Sequence, residues 1–172
     1  STTTTKAGDF IVIATHASHN IAYGYDEDWT YDGFHPWGYI SFDAYFRDVE
    51  TQTAEVRFVS SDDTALFNGV TDWTIGAFLK DSEEKLLRQY TYLDSDYAST
   101  YSPTTTAIYL QTESYLSESL TLVAGLRVEN YDFEFSDNNA LNRDFDTTMV
   151  GGKVALQYQY GEHFYYGSVS RG

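Results

Sequence analysis

The chain has 172 residues, with 10 Lys and Arg against 26 Asp and Glu for a formal net charge of −16, and no Cys. This acidic balance, with no basic cluster to offset it, excludes a nucleic-acid partner, because the field repels phosphates; the lack of Cys removes disulfides, thiolate catalysis and Cys-based zinc sites together. The length suits one domain, and the absence of an uninterrupted apolar run of about 18 residues excludes a transmembrane helix but not a membrane β-barrel.

Sixteen Tyr, 11 Phe and only 2 Pro favour strands over helices, since β-branched and aromatic side chains fit a pleated surface. No charged-then-apolar leader opens the chain, so any export signal is expected to be already absent, and the Thr2 to Thr5 run reads as a polar linker. Residues 10–15 give a first short strand, followed by a polar loop over 24–37. Ile40, Phe42, Ala44 and Phe46 share parity with Ala54, Val56 and Phe58, so 38–60 reads as one long strand with a polar middle. Trp73, Ile75, Ala77 and Leu79 then alternate with Thr74, Gly76 and Lys80. Residues 81–89 have a helix-like composition without an apolar stripe, and read as strand end and loop. After a strand at 106–115 comes the strongest signal: Leu120, Leu122, Ala124, Leu126 and Val128 stand against Thr121, Gly125, Arg127 and Glu129. Val150, Val154, Leu156, Tyr158 and Tyr160 repeat it, and 164–170 closes an all-β antiparallel meander of about seven to eight strands.

The connections alternate. Those at 24–37, 82–104 and 131–146 read as long, polar and acidic; those at 117–119 and 161–162 are tight, with 61–70 intermediate. Long and short links at opposite ends are the pattern of an outer-membrane barrel. Parity then places Glu55, Arg57, Lys80, Glu113, Arg127, Glu129 and Lys153 on the lumenal face, because a charge facing hydrocarbon is costly. A ladder of cross-strand charge pairs is their plain role; contact with a plug or ligand is their functional one. Trp29, Tyr31 and Trp37, crowded with Phe34 and Tyr39 on the first long loop, are the ligand-contact candidates, although aromatics near a rim also make a lipid girdle.

No metal site is expected: His16 and His19 point to opposite faces of a strand, while His35 and His163 are isolated. Asp26, Glu27, Asp28 and Asp32 miss calcium-loop spacing, with Thr30 in the fifth place and Tyr31 where Gly is needed, and read as a solvated acidic loop. Gly151-Gly152-Lys153 is not a phosphate loop, and no nucleophile, base and orienting group recur at catalytic spacing. Neither an enzyme nor a cofactor is expected.

The stretch Thr51-Gln52-Thr53-Ala54-Glu55-Val56-Arg57-Phe58, then Trp73-Thr74-Ile75-Gly76-Ala77-Phe78, then Ala107-Ile108-Tyr109, the Gly125-Leu126-Arg127-Val128-Glu129 core and Tyr165 to Gly172 resembles, in order, the barrel strands of TonB-dependent outer-membrane receptors over about 39–172. Thr53-Ala54 replaces the family's usual Ser-Gln, and Leu79 replaces a common aromatic. The resemblance implies a partial barrel wall in the bacterial outer membrane, from a transporter for a ferric siderophore or similar scarce nutrient. The family fold is a plugged barrel of about 22 strands; 172 residues supply a fraction of that, so the chain is expected to be a middle segment, with TonB engaged only through regions outside it. Two other readings are a self-contained eight-stranded membrane barrel and a soluble β-sandwich that binds carbohydrate. Taken alone, the segment is expected to self-associate through its unpaired edges and apolar face.

Overall fold

The computed structural model describes residues 1–172 as one antiparallel meander: β1 (Thr2–Thr5), β2 (Gly8–Asp26), β3 (Phe42–Ser60), β4 (Thr71–Tyr90), β5 (Tyr97–Ser117), β6 (Leu120–Asp137), β7 (Asn142–Tyr160) and β8 (His163–Arg171). Each strand pairs only with its chain neighbours, in one open sheet of eight strands. A single sheet is not a sandwich, and β1 does not pair with β8, so the sheet is not a closed eight-stranded barrel either. Only 9 of the 172 residues are buried, and the apolar ones among them are small: Ala44, Ala107, Val123 and Ala155. Cohesion therefore rests on the ladder, which holds most of the 118 backbone hydrogen bonds, and on whatever medium covers the two faces.

The register shows what those media are. Residues directly opposite in an antiparallel pair lie on the same face, so partners can be followed across the sheet. One such row runs Val12, Val56, Ala77, Ile108, Val128, Val150 and is apolar throughout. Four residues further up every strand, about 13 Å away at strand rise, the row His16, Gln52, Asp81, Thr104, Asp132, Asp146 lies on the same face and is polar throughout. The apolar part of this belt face is exposed, with Ile108 at 64% and Leu126 at 63%. On β6 it covers 120–128, a length that meets the roughly 9–11 residues needed to cross a bilayer as a strand. Above it, like charges meet directly at Asp132 with Asp146, Glu134 with Asp144, and Glu50 with Glu83. Such pairs are unfavourable in a sheet and tolerable only in water, so the upper margin of the lipid is set between these two rows.

The strands reach well past that margin. β2 to β7 are 18 to 21 residues long, which corrects the expected loops. Residues 81–89 are the upper half of β4, the 82–104 connection shrinks to 91–96, and the 131–146 connection shrinks to 138–141. The cause is visible on β6. Apart from Val123, its apolar residues occupy the even positions as far as Val128, then shift to the odd positions Tyr131, Phe133 and Phe135, while its pairing with β7 continues without a slip. An inversion of polarity imitates the end of a strand. The Thr run is also a strand, pairing with the start of β2. The loop at 27–41 stays long, so its rim still carries the longest link. The opposite rim carries 6–7, 118–119, 161–162 and 61–70, the last with a helical turn α1 (Leu66–Gly69). Trp73 fastens that link: its ring stacks on Phe58 at 5.5 Å and its Nε1–H donates to the Thr64 carbonyl at 3.0 Å.

Candidate functional site

On the reverse face, at the height of the apolar belt, two rows run side by side. One is Arg57, Gly76, Tyr109, Arg127, Gly151; the other is Glu55, Phe78, Ala107, Glu129, Met149. β3 and β6 thus carry matched acid and base pairs, and two aromatic rings lie between them. Arg127 holds Glu129 two residues along its own strand, Nη2 to Oε2 at 2.6 Å, and Arg57 lies 3.8 Å from Glu55. The contacts that cross strands are of another kind: the Tyr109 hydroxyl donates to Glu55, and the Arg127 guanidinium stands 5.5 Å over the Phe78 ring. Gly76 makes the first possible, because a Cβ there would overlap the Tyr109 ring that lies across it. Beyond Arg127, Gly125 and Gly151 leave a depression of about 590 Å³ bordered by Gln111, Lys153 and Ser170.

Above the belt the reverse face turns aromatic. Tyr23 stacks on Tyr45 at 5.1 Å, Tyr25 meets both edge-on, and Arg88 spans Tyr45 and Tyr90 at 5.3 and 5.1 Å. Arg88 also grips Asp43, Nη2 to Oδ2 at 2.6 Å and Nε to Oδ1 at 2.9 Å, and the Tyr45 hydroxyl adds a further donor to that carboxylate. These bonds, Arg88's first, hold the Asp43 carboxyl below its usual range and raise Arg88. Arg47 and Glu84 form a second cross-strand pair at 2.9 Å. On the next two strands, β5 and β6, the Tyr101 and Tyr131 hydroxyls bond each other, and Phe133 lies 5.3 Å from Tyr101 and 5.8 Å from Phe145. The bond from Tyr131, with burial, pushes Tyr101 up to about 12, so its phenol stays protonated at neutral pH.

The loop at 27–41 is tied to this layer. Asp28 accepts from Thr30 N and Oγ1 and from Ser41 N, while Glu27 accepts from Ser41 Oγ. The Thr30 hydroxyl first, then the Ser41 amide, lower the Asp28 pKa. The acidic loop is thus in part a loop closure and not simply a solvated run. Trp29 is 90% exposed in a left-handed backbone conformation, and it lines a depression of about 830 Å³ together with Tyr25 and Tyr39. Tyr31 packs edge-on against Phe34, Trp37 stacks on His35, and Tyr39 stacks on Tyr92.

Glu55, Arg57, Lys80, Glu113, Arg127, Glu129 and Lys153 all share the reverse face. Only Glu55, Arg57, Arg127 and Glu129 are drawn into one arrangement. Glu113 sits lower, opposite Asp72 and Val123, and Lys153 lies opposite Gly125 and Ser170. The expected ladder of cross-strand ion pairs is absent at belt height, where both pairs run along a strand; the cross-strand pairs are Arg47 with Glu84 and Arg88 with Asp43, which sequence reasoning missed. Trp29 alone of the three loop candidates borders the reverse face, through Tyr25. The sign of the missed layer was the odd-position run Tyr131, Phe133 and Phe135, alternating with Asp132 and Glu134.

A family model described as TonB dependent receptor-like, beta-barrel, matches residues 3–172. No curated protein matches the chain. Among solved structures, the ferric yersiniabactin uptake receptor FyuA from Yersinia pestis superposes with a TM-score of 0.72 at 13% identity, covering 97% of this chain and 26% of its own. The alcaligin outer membrane receptor FauA from Bordetella pertussis gives 0.73 at 13% identity, with 97% and 26% covered. The ferric citrate transporter FecA, in its unliganded form, gives 0.70 at 10% identity, with 95% and 24% covered. The chain therefore spans about a quarter of the length of these structures, and such identities support the fold alone. With the belt at one height, water on both faces above it and a family match along nearly the whole chain, the protein belongs to the TonB-dependent receptor-like β-barrel family of the bacterial outer membrane.

Proposed function

We propose that this wall forms part of a transporter that imports an iron chelate, a ferric siderophore, across the outer membrane without catalysing a reaction on it. The carrying observation is the aromatic layer of Tyr23, Tyr25, Tyr45, Tyr90, Tyr101 and Tyr131, which stands above the lipid margin on the face away from lipid and is continuous with Trp29 of the long loop. Flat rings stack on the organic shell of a chelate, and protonated phenols donate to its oxygens without stripping the metal. In this reading Trp29, Tyr31 and Trp37 meet the ligand first. Glu55, Arg57, Glu113, Arg127, Glu129 and Lys153 face the lumen, where a plug packs over the glycine depression, and TonB engages parts of the receptor outside this segment.

Binding to the full-length receptor in detergent tests this through quenching of tryptophan fluorescence. Ferric chelates are expected to quench saturably, and deletion of the gene to slow growth under iron limitation. Saturable binding of cobalamin or an oligosaccharide, with no response to any ferric chelate, would overturn the reading.

A further inference from the structure

The link at 61–70 differs from the three other links of its rim, the short-link rim that faces the periplasm in an outer-membrane barrel. Those at 6–7, 118–119 and 161–162 are two residues long and carry Lys6, Glu118 and Glu162, as suits turns that stand in water. The longer link begins polar, with Ser61, Asp62, Asp63 and Thr64, and then turns apolar at Ala65, Leu66 and Phe67, with Leu66 46% and Phe67 77% exposed. Its course is fixed on the belt side of the sheet. Trp73 shares the face of Ile75 and Phe58, and this outward ring is the one that bonds the Thr64 carbonyl. Leu66 then bridges Thr71, which sets it on the row of Thr71, Ser114, Leu122 and Leu156. Leu122 and Leu156 belong to the lipid belt, and Leu120 with Tyr158 continues that belt one row lower. Leu66 is therefore level with side chains that lipid covers.

The link is also held firmly. The Ser61 hydroxyl donates to the Lys6 carbonyl at 2.7 Å and the Thr64 hydroxyl to that of Ala7, which ties its start to the turn before β2. The Tyr115 amide donates to the Val70 carbonyl at 2.8 Å, and the Thr71 hydroxyl, on a residue only 3% exposed, donates to Ser114 Oγ at 2.9 Å, which ties its end to β5. At the tip, Phe67 and Asn68 take left-handed backbone angles, with φ of 54° and 61°, and Gly69 follows at 87°. Asparagine and glycine tolerate that region, whereas a bulky residue enters it at a cost. Strain and exposure thus fall on the same aromatic residue. Water offsets neither, but the boundary of a bilayer takes up an aromatic ring.

We propose that the 61–70 link is a membrane anchor, which folds back along the outside of the wall and seats Leu66 and Phe67 at the boundary of headgroups and acyl chains in the periplasmic leaflet. Asp62 and Asp63 stay in water, and their charge keeps the first half of the link from sinking with the tip. The occupant of this apolar knuckle is phospholipid, because the knuckle is continuous with a face that lipid already covers. The anchor fixes the depth of β3 and β4 in the bilayer, whichever ligand the receptor imports.

Nitroxide labels on single cysteines of the full-length receptor, reconstituted in phosphatidylcholine vesicles, test this through collisions with oxygen, which concentrates in lipid, and with a water-soluble nickel chelate. Leu122→Cys supplies the lipid reference and Glu118→Cys the water reference. The label at Phe67→Cys is expected to lose nickel access and keep oxygen access, nearer to the first reference than to the second. Val70→Cys reads the tip with Phe67 in place, and adding Phe67→Asp is expected to raise its nickel access, because the new charge lifts the tip out of lipid. Nickel access at 67 equal to that at 118 would overturn the anchor. A label at 67 that neither collider reaches would overturn it too, since protein and not lipid would then cover the tip. Nickel access at 70 that Phe67→Asp leaves unmoved would remove Phe67 from the role, and the proposal with it.

Discussion

The lower and upper halves of the same strands solve opposite problems. Below the row at His16, Gln52 and Asp81, the belt face is apolar, and the reverse face carries ion pairs, glycines and two bridging rings. Above it, the belt face becomes acidic, and the reverse face becomes aromatic around closed Arg and Asp pairs. Backbone geometry does not change between the halves, since the pairing of β2 with β3 and of β6 with β7 runs unbroken through the boundary. What changes is the medium outside, from lipid to water. Strand periodicity therefore fixes which side chains share a face, while the surroundings decide which face is apolar.

The sharpest way to break this comparison is to place one new charge on the same face at two heights. Leu126→Arg enters the exposed belt at 63% exposure and should destabilise the full-length receptor by about 2–4 kcal/mol, as for Arg near the bilayer midplane. Ser102→Arg, on the same face above the margin and directly opposite Glu134, should change stability by no more than about 0.5 kcal/mol. Urea unfolding in lipid vesicles reads both. Equal penalties would place lipid against the acidic rows, and the division between the halves would fail.

A smaller effect tests the lower half alone. Gly76→Val forces the Tyr109 ring off the β4 backbone and breaks its bond to Glu55, with an expected cost of about 1–3 kcal/mol from overpacking. Adding Tyr109→Ala to Gly76→Val should recover part of that loss in the same unfolding measurement, because the clash then has no second partner. No recovery would mean that Gly76 serves something other than the ring.

Much of the lower half is legible in the sequence, because lipid on one side and water on the other write a clean alternation into 120–128 and 150–158. The upper half was hidden for a physical reason. Both of its faces meet water, so the contrast that marks a strand weakens; and where rings gather on the inner face, the parity is the reverse of the parity below. Residues 131–137 and 142–146 consequently resembled acidic loop although they are strand. The candidates Glu55, Arg57, Arg127 and Glu129 followed from parity alone, whereas the bond from Tyr109 to Glu55 needed the register of three strands. The pairing of Arg88 with Asp43 could not be reached while 82–104 was read as a loop.

The smallest expected effect belongs to that pair and distinguishes the halves by acid. Arg88 holds the folded Asp43 carboxyl below its ordinary value, while in the unfolded chain it titrates near its reference of about 3.9. A depressed folded pKa stabilises the fold fully above the unfolded value, and that contribution is lost as pH falls through the folded value. Protection factors for amide exchange, taken relative to the unstructured rate at each pH, should therefore be unchanged at the upper ends of β3 and β4 of the full-length receptor from pH 7 down to about 4, and should fall below that as Asp43 releases Arg88. Amides of 120–128, which lie apart from Asp43 and Arg88 with lipid on their apolar face, should show no step that Asp43→Asn abolishes. Asp43→Asn should lower protection at the upper ends already at pH 7 and abolish the acid step, since no carboxylate remains there to titrate against Arg88. An acid step of the same size in both halves would show that protonation acts through the whole barrel and not through this pair.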